Sequence, residues 1–286
     1  LPSHHLSLSL PGGRTRVCIH GDGPALLWAH GVFFPIDVDD RSTLGRVLSS
    51  TRDFTVIRWD ARGHGQSEAG PDGAAHRWDR MANDVLALAD ALSLDRFAAG
   101  GISMGAAVTL HAALAAPERV AAMLLFALPT AWTTRPAEQE RYRSLLGLGS
   151  SDALADFVTR DLDEAFGGAP LAPALAAMVS ELRSAPWTAT SRVIEGAAES
   201  DMPPLARLAA LRVPTLLRPW PNDTGHPLST AEALAAALPK AHLALLDSFD
   251  DEAGMRAALE ELRLRAEGLA PPPGLPVDGA APARPG

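Results

Sequence analysis

The chain is poor in several residue types, and each scarcity removes a class of explanation. Among 286 residues there is one cysteine, Cys18. A single thiol makes no intrachain disulfide, so no disulfide framework holds this fold. Cys18 lies in Thr15-Arg16-Val17-Cys18-Ile19-His20, which reads as a strand, and a buried structural thiol is expected there. Lysine is almost absent: Lys240 stands alone, and arginine carries nearly all the positive charge. Coding bias explains that better than chemistry does. The formal net charge is −9, and no dense Lys/Arg stretch interrupts it, so nucleic acid is not expected as a partner. No uninterrupted apolar run approaches the ~18 residues of a membrane span. The N-terminus has no basic region followed by an apolar stretch, so no secretory leader is read and a cytoplasmic location is expected. No His/Cys/Asp spacing resembles a zinc site, and neither metal nor cofactor is expected.

What is present fits a soluble globular protein: 47% hydrophobic and 21% charged residues, in a chain long enough for a large core. Apolar runs alternate with amphipathic segments. The runs are Ala25–Ala29, Phe54–Trp59, Phe97–Gly101, Val120–Phe126, Val213–Leu217 and His242–Leu246. Runs of this length without polar alternation suit strands covered on both faces. Helical patterns separate them over Trp78–Leu92, Ser103–Ala116 (stopped by Pro117), Ser229–Leu238 (stopped by Pro239) and Glu252–Leu269. This alternation predicts an α/β fold with a mostly parallel, doubly wound sheet. Leu6–Leu10 and Arg14–His20, joined by Pro11-Gly12-Gly13, predict an antiparallel hairpin at one edge. The rhythm breaks over residues 129–211, which carry helical patterns such as Ala137–Leu146 and Leu171–Ser184 but no strand. That stretch reads as a helical cap inserted between two parts of the core, 1–128 and 212–269. Residues 270–286 are rich in Pro, Gly and Ala and read as a disordered tail.

The chemistry-bearing motif is Gly101-Ile102-Ser103-Met104-Gly105, a G-x-S-x-G. A nucleophilic serine on a sharp strand-to-helix turn needs small residues two places to either side, so that strand and helix approach without Cβ clashes. The Met104 N–H, just after the serine, points at a developing oxyanion, and the helix N-terminus favours negative charge there. The plain alternative is a serine capping an ordinary helix. The strand before it and the helix after it favour the nucleophile elbow.

With two upstream segments added, the chain resembles the α/β-hydrolase family in its single-domain form with a helical cap. His30-Gly31-Val32 looks like the family's oxyanion loop, with Val32 supplying a second backbone N–H. Asp60-Ala61-Arg62-Gly63-His64-Gly65-Gln66-Ser67 looks like its D-x-R-G-x-G-x-S loop. Val213–Leu217 looks like the strand before its acid loop. The resemblance covers residues 5 to 268, the cap excepted in detail, and implies Ser103 as nucleophile. It also implies Asp223, in Pro221-Asn222-Asp223-Thr224-Gly225-His226-Pro227, as the triad acid. The plain reading of Asp223 is an Asx-turn or cap residue. The loop departs from the family's small, Gly-containing form, because Arg218-Pro219-Trp220-Pro221 is bulky and stiff.

The triad order of this fold is Ser, acid, His. The segment after the last strand, Leu246-Asp247-Ser248-Phe249-Asp250-Asp251-Glu252, holds no histidine. Serine without a base is a poor nucleophile, so three readings stand. His226 serves as base, against the objection that three residues from Asp223 leave little room to bond it and still reach Ser103. Alternatively, Asp247, Asp250 or Asp251 replaces the histidine, although a solvated acidic loop is the plainer reading. Or the site is non-hydrolytic: a ligand pocket, or lyase or cyclase chemistry on the same residues.

The remaining histidines carry less. His30 shapes the oxyanion loop, His64 is structural, His111 packs against the sheet, and His76 is read as exposed. The run Asp37–Asp40 reads as a helix start favoured by the macrodipole. Phe33 or Phe34 is a candidate pocket wall, and Trp132, Met178 and Trp187 face the pocket or hold the cap. The function expected is hydrolysis of a small, mostly apolar ester, lactone or similar molecule. The partner expected is that substrate, and a homo-oligomer is left open.

Overall fold

In the computed structural model, which describes residues 3–166 and 172–272, the apolar runs form one eight-stranded sheet. Strands β1 (His4–Leu10) and β2 (Gly13–His20) make the expected hairpin, turning at Gly13 with φ 116°. Then come β3 (Ala25–Ala29), β4 (Thr55–Trp59), β5 (Phe97–Ile102), β6 (Val120–Phe126), β7 (Thr215–Arg218) and β8 (Ala241–Leu243). Their order is β1-β2-β4-β3-β5-β6-β7-β8. The pairs β1/β2 and β2/β4 are antiparallel, and every pair from β4 across to β8 is parallel. All residues of β3, β4, β6 and β7 are buried, as the unbroken apolar runs require.

Helices cover both faces. In chain order they are α1 (Ile36–Asp39), α2 (Thr43–Ser50), α3 (Trp78–Ala91), α4 (Met104–Ala115), five inserted helices, α10 (Leu228–Ala237) and α11 (Glu252–Arg265). Strand residues alternate between the two sides. Leu27, Met123, Leu125 and Leu217 face α3, α4 and α10, whereas Leu26, Trp28, Leu124 and Phe126 face α2 and α11.

The five inserted helices lie between β6 and β7: α5 (Arg135–Leu146), α6 (Ser151–Phe166), α7 (Pro173–Ser184), α8 (Trp187–Ala198) and α9 (Leu205–Leu208). They gather a third apolar cluster around Tyr142, Leu154, Met178, Leu182 and Ile194, which also takes in Val38 from α1. Arg135 is buried among them. Its guanidinium donates to the carbonyls of Ser200 (2.7 Å) and Ala197 (2.5 Å) and stacks 4.2 Å over the Trp78 ring. Trp78 begins α3, so this contact ties the insertion to the sheet layer. The tail read from the sequence lies, from residue 273 on, outside the described residues.

The strand order places the site. From β3 the chain crosses outward to β4 and then returns to β5 on the opposite side of β3. The loops leaving β3 and β5 therefore diverge and open a crevice at the carboxyl ends of these strands, where ligands bind in open α/β sheets.

Candidate active site

Ser103 stands at that crevice, between β5 and α4, with φ 54° and ψ −118°. A non-glycine residue at positive φ is strained, and strain of this kind concentrates at functional turns. The surroundings hold it there. Its N–H donates to the carbonyls of Phe126 (3.2 Å) and Ala127 (3.1 Å), and its own carbonyl accepts from Ala106 N–H (3.0 Å). Both flanking glycines are needed. A Cβ on Gly105 would strike the Ala29 carbonyl, and one on Gly101 would lie 2.5 Å from the Gly105 carbonyl carbon.

The loop after β3 passes beside the serine: a Cβ on Gly31 would lie 3.6 Å from Ser103 Cβ. Among the described residues, neither Val32 N–H nor Met104 N–H has a hydrogen-bond acceptor. His30 fixes this loop. Its Nε2 accepts the Ala61 N–H (2.9 Å), so its Nδ1 carries the proton and donates to the Gly31 carbonyl (2.6 Å). Burial pushes His30 down to about 4, which keeps it neutral. The loop after β4 is held by Asp60, whose buried carboxylate accepts from Ile36 N–H (2.8 Å), Gln66 N–H (3.0 Å) and Arg16 (3.5 Å). Arg62 forks onto Asp84 of α3 at 2.8 and 2.5 Å. His64 packs edge-on against His30, with ring centroids 5.0 Å apart.

The loop after β7 brings the other two candidates to Ser103. Asn222 takes φ 63°, a left-handed turn that asparagine tolerates. Beyond it, Asp223 uses its two oxygens differently. Oδ1 accepts from the N–H groups of Gly225 (3.0 Å) and His226 (3.1 Å), an Asx-type turn. Oδ2 accepts from His226 Nδ1 (2.8 Å) and Trp220 Nε1 (2.9 Å). A carboxylate only accepts, so His226 carries its proton on Nδ1, and Nε2 is left to accept the Ser103 hydroxyl at 2.8 Å. The turn reading and the acid reading of Asp223 thus describe one geometry. Burial pushes the Asp223 carboxyl up, but hydrogen bonds and charge from His226, with the Trp220 N–H, outweigh it and hold it below the ordinary range. Thr130 N–H, just past β6, donates to the Gly225 carbonyl (3.2 Å), pinning the loop across the end of β6, the strand between β5 and β7.

Trp220 was visible in the sequence only as a bulky departure in the loop. Its indole N–H is a partner of the carboxylate that residue spacing could not reveal.

Two of the other acidic candidates have partners of their own. Asp250 accepts from Thr43 of α2 (2.8 Å), and Asp251 caps α11 by accepting from Gly254 N–H (2.9 Å). Strand β8 is shorter than the predicted His242–Leu246, although the Ala244 and Leu246 N–H groups still bond β7 and its following residue at Leu217 and Pro219. His242 pairs with Glu261 of α11 (2.8 Å). His76, expected at the surface, is 2% exposed and bonds the Asp72 carbonyl, because α8 packs onto its turn at Gly196. His111, expected against the sheet, instead meets the Asp201 carbonyl between α8 and α9 (3.0 Å). The acidic run at 37–40 is neutralised by strand arginines more than by the four-residue α1. Arg16 forks onto Asp37 at 2.8 Å. Arg58 lies 2.6 Å from Asp40 and 3.5 Å from Asp39, at ion-pairing distance but without hydrogen-bond alignment.

This fold is that of the α/β-hydrolase class. The family model for the alpha/beta hydrolase fold matches residues 24–191, more than half of the chain, and the chain belongs to that family. It is 30% identical to a Pseudomonas savastanoi pv. phaseolicola protein provisionally named a carbamate hydrolase, RutD, over 80% of this chain and 87% of that one. A Bacillus subtilis (strain 168) protein, provisionally named a 2-succinyl-6-hydroxy-2,4-cyclohexadiene-1-carboxylate synthase, is 32% identical over 155 residues. There the match takes in 53% of each, so the chain spans about half the length of that curated relative. Among solved structures, a hydrolase from Pseudomonas aeruginosa PA01 superposes with a TM-score of 0.75 at 24% identity, covering 92% of this chain and 98% of that one, which speaks to the fold alone. Among the described residues no helix is long and apolar enough to cross a membrane, and no cluster of three or more His, Cys, Asp or Glu could hold a metal ion.

Proposed function

We propose that this protein is a serine hydrolase acting on a small, mostly apolar ester, lactone or similar molecule, with Ser103 as nucleophile, His226 as general base and Asp223 as acid. The 2.8 Å contact between Ser103 Oγ and His226 Nε2 carries the reading. Ser103 Oγ attacks the carbonyl carbon while its proton passes to His226 Nε2. Asp223 holds the imidazole in the tautomer that accepts this proton and steadies the imidazolium that results. The Val32 and Met104 N–H groups receive the oxyanion, where preorganised donors contribute most. His226 then returns the proton to the leaving alkoxide. Water, deprotonated by His226, cleaves the acyl-enzyme to the acid and restores Ser103. In this reading residues 129–211 form the cap over the site, and the protein works on free small molecules, with no nucleic acid and no membrane.

The test is labelling by a serine-directed fluorophosphonate together with turnover of short-chain p-nitrophenyl esters. Wild type should be labelled and turn over; Ser103→Ala and His226→Gln should do neither at a measurable rate. Wild type left unlabelled would overturn the reading. Labelling without ester turnover would point to a non-hydrolytic reaction at the same serine.

A further inference from the structure

A second feature, whose lining does not include Ser103, lies between the loops that follow β3 and β4 and the helices α7 and α8. Here the structure forms a partly open cavity of about 390 Å³, a size that suits small-molecule sites. Phe33 and His64 line it from the sheet side, and Glu181, Leu182, Thr190 and Val193 line it from the inserted helices. Among the described residues no lysine or arginine lines it, and Glu181 is the only acidic one that does. The His64 ring contributes no charge. It donates from Nδ1 to the Arg62 carbonyl (3.1 Å), and burial, with His30 beside it, pushes it down to about 3.

Glu181 is therefore a half-buried carboxylate facing a cavity without a cation. Among the described residues its side chain has neither a hydrogen bond nor an ion pair; only distant charges reach it, from Asp60, Asp37 and Arg16. Arg16, the cation whose charge reaches it, is already committed to Asp37 through both terminal nitrogens and to Asp60 at 3.5 Å. Burial and the two aspartates push the Glu181 carboxyl up. A half-buried carboxylate beside a largely apolar wall gains from a positive group that completes it. The hydroxyls of Ser67, Ser184 and Thr190 add hydrogen-bonding capacity around the same space, and the rest of the lining is largely apolar.

We propose that this cavity binds an amine-bearing small molecule, with Glu181 as counter-ion to its ammonium group and the apolar walls taking its hydrocarbon part. The field in the cavity rejects a carboxylate of the same shape, because no lining group balances a second negative charge. The proposal stands on the cavity and needs no turnover at Ser103.

The test is isothermal titration of the full chain with three probes of one shape: 3-phenylpropylamine, 3-phenylpropanol and 3-phenylpropanoate, at pH 7.5. The amine is expected to bind about tenfold tighter than the alcohol, as a charge-assisted hydrogen bond would give, and the carboxylate more weakly than either. Glu181→Gln should erase the preference for the amine, and Glu181→Lys should turn it toward the carboxylate, with thermal melts confirming that both variants fold. Equal binding of the three probes, binding of none, or an amine preference that survives Glu181→Gln would each overturn the proposal. Titration reads binding alone, so a failed hydrolase reading leaves this result interpretable.

Discussion

Asp223 and His226 close a carboxylate–imidazole hydrogen bond inside a single loop: Oδ2 lies 2.8 Å from Nδ1 across only three residues. The candidate acid and the candidate base are thereby one unit, which presents His226 Nε2 to Ser103. The Asx-type turn at Oδ1 sets the backbone, and the ring follows from it. If the unit acts as proposed, Asp223→Asn should lower kcat by roughly 10⁴-fold, because an amide in that place no longer enforces the accepting tautomer of His226. Steady-state kinetics on a p-nitrophenyl ester would check this, and a loss under tenfold would remove Asp223 from the mechanism.

Trp220 shares the same carboxylate oxygen with His226. Trp220→Phe keeps an aromatic ring and deletes only the N–H. The expected effect is a fall in kcat of about tenfold with KM little changed, the mark of a residue that positions another rather than binding substrate. An unchanged kcat would mean that the turn alone orients the acid.

The segment after β8 should not accept a transplanted base. Asp250 is tied to Thr43 and Asp251 caps α11, so residues 247–251 are held to α2 and α11. Placing a histidine there, as Ser248→His in a His226→Gln background, should leave ester turnover at the level of His226→Gln alone. Recovery of even a hundredth of wild-type activity would show that this segment still reaches Ser103.

Stability should fall on the acid side. His30 and His64 are buried and held neutral, at about 4 and about 3 against an ordinary 6.5. Below pH 6.5 the unfolded chain takes up protons that the folded chain refuses, so stability is lost as the pH drops from 6.5 toward 4. Asp39 works the other way. Burial raises it to about 6, so the folded state gains from its protonation between pH 6 and 4. Two buried histidines held neutral outweigh one buried aspartate held protonated. Urea unfolding of wild type should show the net acid loss, and His64→Gln should flatten it. A pH-independent midpoint between 4 and 6.5 would contradict the burial of these rings.

Arg135 should matter to the attachment of the inserted helices. Arg135→Met keeps much of the stem and leaves the Ser200 and Ala197 carbonyls without their donor. A cost of about 3 kcal/mol is expected, read by urea unfolding. A change below about 0.5 kcal/mol would mean that the stacking on Trp78 is replaceable.

The sequence alone determined the alternation of strands and helices, the edge hairpin and the serine turn, because each rests on local signals. Short apolar runs set between helical patterns suit two-sided strands, Pro117 and Pro239 stop helices, and the glycine spacing at 101 and 105 is legible within one strand–turn–helix unit, although the contact that demands Gly105 comes from Ala29 of β3. It also showed an absence, the lack of a histidine after the last strand. It could not say whether another residue takes that place. Whether His226 reaches Ser103 depends on the left-handed turn at Asn222, on the split use of the Asp223 oxygens, and on Thr130 holding the loop across β6. It depends too on β7 lying two strands from β5 in the sheet. Those are distances between segments up to 123 residues apart, and only the tertiary structure decides them. The buried surroundings of His76 and the unpaired carboxylate of Glu181 belong to the same class, since each is set by helices packed on from elsewhere in the chain.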